Sequence, residues 1–110
     1  MDLSDERLEY AKDFGADYTI NASKESNQVA AVKELTEDKK GVDVAVDATG
    51  IPGVWEMTIL MGRKGATINL FGGCTSGTSI NIDTQLLHYS ELIIKGVYHH
   101  TPYYVKKAFD

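Results

Sequence analysis

Apolar residues near the start of the chain recur at helical spacing, at Leu8, Ala11 and Phe14, while Arg7, Lys12 and Asp13 fall on other faces. Ser4 is placed to cap this helix, Asp5 and Glu6 in its first turn suit the positive end of the helix dipole, and Gly15 stops it. Tyr18-Thr19-Ile20 predicts a short strand. A second helix is expected to begin near Ser23 to Asn27 and to run to about Leu35, with Val29, Val32 and Leu35 as its apolar stripe. The polar run from Thr36 to Gly41 ends it.

The pattern changes at Val42. From there to Ala48 the chain is apolar except for Asp43 and Asp47, and its β-branched valines suit a strand covered on both faces. Pro52 fits the first turn of a following helix that should run to about Met61, with Val54, Trp55, Ile59 and Leu60 giving a broad apolar face. Ala66 to Phe71 is the next strand, followed by a glycine-rich loop from Gly72 to Thr78. Ile80 and Ile82 alternate as a short extended piece, Thr84 to Tyr89 reads as a turn of helix, and Leu92 to Val97 as a last strand. Thr101-Pro102 opens a terminal helix through Val105 and Phe109. Strands alternating with helices, without internal repeats, predict βαβ units and an α/β fold built on a doubly wound parallel sheet.

Two of the predicted strands end at glycines, Gly50 and the pair Gly72-Gly73. In sheets of this type the ligand lies across the carboxyl ends of the strands, where glycine lets the backbone approach it. There is no Gly-x-Gly-x-x-Gly in the chain, so the phosphate-binding first turn of a dinucleotide fold is missing and the sequence reads as part of a site.

Composition narrows the options. At 110 residues the chain is one domain, large enough to bury about two-thirds of the surface its unfolded form exposes. A formal charge of -5, with Lys and Arg scattered, gives no attraction for nucleic acid. No apolar run reaches the ~20 residues of a bilayer span and the amino terminus is acidic, so neither a membrane nor a signal peptide is expected and the predicted location is cytoplasmic. The single cysteine, Cys74, suits a reducing compartment and excludes a Cys-rich zinc module; with no base beside it, it reads as a free thiol. His88 is distant from the adjacent pair His99-His100, whose side chains project to opposite sides of an extended chain, so no metal site is expected. Asp43 and Asp47 read as strand-start solvation and a carboxyl-end cap.

Four ordered blocks resemble the zinc-containing medium-chain dehydrogenases, above all the sorbitol, threonine and related alcohol dehydrogenases. They are the run from Asp2 to Asp17 with its Asp-Leu-Ser, Arg-Leu, Ala-Lys and Phe-Gly-Ala-Asp elements; Gly41-Val42-Asp43-Val44 with Asp47-Ala48-Thr49-Gly50; Arg63-Lys64-Gly65 with Phe71-Gly72-Gly73; and Tyr89-x-Glu91 through Gly96. The resemblance covers essentially the whole chain. It implies a single partial Rossmann domain over residues 1–110, starting at the end of that family's second strand and lacking the first two strands, the glycine-rich turn and the domain that carries the zinc ligands.

By the same resemblance Asp2 accepts hydrogen bonds from the adenosine ribose, which favours NAD over NADP, and Arg7 sits beside that ribose. Ala48, Thr49 and Gly50 line the adenine and ribose side, Phe71, Gly72 and Gly73 pass beneath the nicotinamide half, and Val97 and Tyr98 lie near the carboxamide. The implied protein is the cofactor-domain part of an NAD-dependent alcohol or polyol dehydrogenase, inactive by itself. Zinc belongs to the parent family only, with no ligands here. In the order 3-2-1-4-5-6 the strand at Val42 loses its neighbour, so either the Tyr18 strand moves beside it or another copy does, and a homo-oligomer through exposed strand edges is expected. The alternatives are a non-catalytic, self-associating α/β remnant and a weak adenosine-nucleotide module using the Thr49 and Gly72 loops.

Overall fold

The computed structural model describes all 110 residues, Met1 to Asp110. Helix α1 (Asp5–Asp13) is capped by Ser4, whose Oγ accepts the Arg7 N–H. α2 (Gln28–Glu34) is capped in the same way by Asn27. Then follow β1 (Val42–Asp47), α3 (Pro52–Met61), β2 (Gly62–Leu70), α4 (Thr84–Tyr89), β3 (Ile93–Gly96) and α5 (Pro102–Phe109). The predicted spans of α3 and α4 are met. β2 starts four residues ahead of the predicted Ala66, directly after α3, and its regular pairing begins at Thr67 after an irregularity over the Arg63-Lys64-Gly65 segment. None of the helices is long and apolar enough to cross a membrane.

The three strands form one parallel sheet in the order β1-β2-β3. Its core cluster is Ala45, Ile59, Ala66, Ile68, Leu70 and Leu92, against which Trp55 of α3 and Leu86 and Leu87 of α4 pack. The register sets Val44 beside Thr67 and Ile93, and Val46 beside Asn69 and Lys95. Alternation therefore splits the sheet into a covered face with Ala45, Ile68 and Leu70 and an opposite face on which Val44, Val46 and Ile93 stay more than half exposed. The expectation that β1 is covered on both faces is corrected here. Val44 and Val46 are on the side away from the packed cluster, where Asn69 also holds a buried Oδ1 without a hydrogen-bond partner, whereas Val42 packs against the cluster.

Two further expectations fail locally. Tyr18 to Ile20 form no strand: a single parallel bridge joins Asp2 to Asn21, with the Asp2 N–H donating to Ile20 C=O at 3.2 Å and Ala22 N–H donating to Asp2 C=O at 2.9 Å. One bridge cannot propagate a ladder, and the segment does not join β1, whose outer edge has no strand beside it. Phe14 is exposed because α1 ends at Asp13 and the chain leaves the helical stripe there.

Candidate functional site

Asp47, the last residue of β1, organises the carboxyl end of the sheet. It is 2% exposed. Its Oδ1 accepts the Thr49 and Gly50 N–H groups, both at 3.0 Å, and its Oδ2 accepts the Thr49 hydroxyl at 2.8 Å. A buried carboxylate is tolerated where its lone pairs are met in this way. Its backbone carbonyl in turn accepts the Phe71 and Gly72 N–H groups at 3.0 and 2.9 Å. One residue thus fixes the Ala48-Thr49-Gly50 loop with its side chain and the Phe71-Gly72-Gly73 loop with its main chain.

The glycines make that junction possible. Gly50 has φ +70°, and a Cβ built there would lie 2.3 Å from Gly73 O; one built on Gly72 would lie 2.4 Å from Gly50 N and 2.7 Å from Ala48 C. The two loops therefore meet backbone to backbone. Gly73 differs, since a Cβ there would meet nothing within 4 Å. Trp55 braces the second loop by donating its indole N–H to Gly72 C=O at 2.9 Å.

Beside the junction lies an open cleft of about 630 Å³ between the ends of β2 and β3. Phe71, Gly73, Val97 and Tyr98 line it, four of the residues singled out from the sequence. Ala48 and Thr49 are exposed next to it but are not part of its lining, and Gly50 and Gly72 are taken up by their mutual contact. The sequence reading did not single out Trp55, Leu70, Gly96, His99 or His100, which complete the wall. Trp55 could have been found from its place one turn into a helix that opens at a strand end. Extended chain would send the two imidazoles to opposite sides, whereas His99 has φ +68° and turns the chain so that both residues border the cleft. His is one of the residue types enriched in that left-handed region.

Asp2 and Arg7 form a separate group at the other predicted position. Asp2 Oδ1 accepts the Ser4 N–H at 2.9 Å, and an Arg7 guanidinium nitrogen lies 3.4 Å from both carboxylate oxygens. The Ser4 N–H first, and Arg7 second, hold the Asp2 carboxyl below the usual carboxylate range. Arg7 itself is largely exposed. Neither residue lines the strand-end cleft. At the opposite, amino end of the sheet, Arg63 pairs with Asp43 beside Lys40 and Lys64.

Nowhere do three or more His, Cys, Asp or Glu side chains come together as a metal-binding group. The residues present therefore do not fit a zinc centre. What the arrangement offers is an open cleft at the carboxyl ends of parallel strands, with Trp55, Leu70, Phe71, Val97 and Tyr98 as its apolar and aromatic surface.

The family described as "Zinc-binding dehydrogenase" matches residues 1–110. L-threonine 3-dehydrogenase of Francisella tularensis subsp. tularensis (strain WY96-3418) is 28% identical over 103 residues, which cover 88% of this chain and 29% of that protein. Benzyl alcohol dehydrogenase from Acinetobacter calcoaceticus superposes with a TM-score of 0.80 at 32% identity, over 86% of this chain and 25% of the other. 2R,3R-butanediol dehydrogenase from Bacillus subtilis gives 0.78 at 27% identity, over 94% and 28%. The chain thus spans less than a third of the length of each of these relatives.

Proposed function

Because the chain belongs to the zinc-binding dehydrogenase family, we propose that it provides part of the cofactor site of an NAD-dependent alcohol or polyol dehydrogenase. The observation that carries this reading is the junction at Asp47, which holds two strand-end loops in register beside an open cleft. When bound, the dinucleotide supplies the hydride acceptor. The chain's own residues bind and orient it: Phe71, Val97 and Tyr98 offer ring and aliphatic surface, and Gly73 leaves room for close approach. On this reading residues 1–110 contribute cofactor binding, and hydride transfer is a property of the longer protein.

Asp2 supports NAD over NADP. Its carboxyl is held ionised, and a carboxylate at the ribose repels a 2′-phosphate. Arg7 already occupies that carboxylate, which moderates the repulsion. Calorimetric titration of the 110-residue chain with NAD, NADP and AMP tests the reading. Saturable NAD binding, tighter than NADP binding, is the expected result. No heat from NAD up to millimolar concentration would overturn it.

Self-association is a second part of the proposal, supported by the unpaired outer edge of β1 and by the exposure of Val44, Val46 and Ile93 on one sheet face. A strand edge with unpaired N–H and C=O groups is a template for a second chain. Light scattering at micromolar concentration should show a dimer or larger species; a monomer would sink this idea.

A further inference from the structure

β1 is paired on one side only, and its main chain tells which groups lie on the other. A strand residue points its N–H and C=O to the same neighbour, and successive residues alternate. Asp47 pairs with Leu70, and its C=O accepts the Phe71 N–H at 3.0 Å, so Asp47 faces β2 and, two residues back, so does Ala45. Val44 and Val46 therefore turn their N–H and C=O groups to the outer edge. No turn or loop backbone group hydrogen-bonds to either of them. Unpaired groups of this kind are where another strand adds.

The sequence of this edge is its own mirror. Asp43-Val44-Ala45-Val46-Asp47 reads the same in both directions, so a second copy turned antiparallel about Ala45 sets valine opposite valine on the bare face, where the two are 59% and 58% exposed. β-branched cross-strand pairs are favourable there. The strand's own limits select this register among the twofold ones. Val44 opposite Val44 would take Val46 to Val42, across the irregularity that separates Val42 from Val44. Val46 opposite Val46 would take Val44 to Ala48, past the strand end in the loop that Asp47 holds. Val44 opposite Val46 keeps both edge residues inside the regular strand.

We propose that two copies of the chain join antiparallel along β1 about a twofold axis through Ala45, with Val44 of each opposite Val46 of the other. The proposal rests on the self-association reading above and names its edge and register. Each of the two valine pairs exchanges two main-chain hydrogen bonds, which meets every outer N–H and C=O of Val44 and Val46 and joins the two sheets into one. The cost falls at Asp43, which comes opposite Asp47 of the copy, since like charges directly opposite are unfavourable. Arg63 already pairs with Asp43, and the Asp47 oxygens are turned to the Thr49 and Gly50 donors of their own loop.

Cysteine pairs test the register. Residues directly opposite in a hydrogen-bonded pair have Cα atoms about 5.5 Å apart, within reach of a disulfide, whereas diagonal neighbours are roughly 7–8 Å apart and out of reach. Val44→Cys and Val46→Cys are made separately in a Cys74→Ser chain, Cys74 being the only native thiol. Both positions are exposed, so the exchanges leave the packed cluster untouched. On mild oxidation the mixture of the two variants should give roughly tenfold more covalent dimer than either variant alone. A link formed by Val44→Cys alone or by Val46→Cys alone would put the copies in another register and overturn the proposal. A dimer by light scattering that gives no mixed link would also overturn it, while keeping self-association through some other surface. A monomer by light scattering would overturn both.

Discussion

Replacing Asp47 by alanine should lower the stability of the chain by about 3 kcal/mol, a fall in melting temperature on the order of 15 °C. The substitution removes the acceptor for two backbone N–H groups and one hydroxyl, and it does so at a side chain that is itself buried. Unmet buried donors cost more than the net worth of the bonds they had made. Asp47→Asn is the informative partner. Its amide oxygen still accepts from Thr49 and Gly50, and its NH2 group faces the Thr49 hydroxyl, which then accepts in place of donating, so an intermediate loss is expected. Chemical denaturation of the three proteins checks the order. A loss below about 1 kcal/mol for the alanine variant would show that the loop is held by something other than this carboxylate.

Gly72→Ala should be comparably damaging, at about 3 kcal/mol, since overpacking and forced backbone movement add there. The added Cβ meets Gly50 N at 2.4 Å and Thr49 N at 2.7 Å, backbone atoms that Asp47 holds in place. Gly73→Ala is the control. With nothing within 4 Å of its Cβ it should leave stability within about 0.5 kcal/mol of the parent, yet it puts a methyl group at the cleft wall and should weaken NAD in the same calorimetric titration. If the two alanine variants lose equal stability, the distinction between a packing glycine and a ligand-approach glycine is wrong.

That distinction is the part of the site the sequence could not express. Gly50 and Gly72 stand out as strand-end glycines from sequence alone, but their mutual contact joins residues 22 positions apart and leaves no local mark. Local signals carried the helices well: Pro52 with a broad apolar face gives α3 and its bounds, and Ser4 and Thr101 mark true caps. Non-local ones did not. Tyr18-Thr19-Ile20 has strand composition, yet a strand exists only through its partner, and here that partner is one residue. The valines of β1 announce burial on both sides, although Val44 and Val46 are left bare because the packed cluster lies on the other face. The turn at His99 escaped for a different reason, since neither glycine nor asparagine advertises the positive φ.

The sheet order β1-β2-β3 repeats the order of the strands along the chain. Each strand therefore adds to the free edge of the one made before it, and none must be threaded between two that are already paired. A growing polypeptide can lay down β1, fold α3 across it, close β2 against both and then receive β3, keeping each loop closure between neighbours in sequence. Strand order alone thus allows this sheet to assemble in the direction of synthesis.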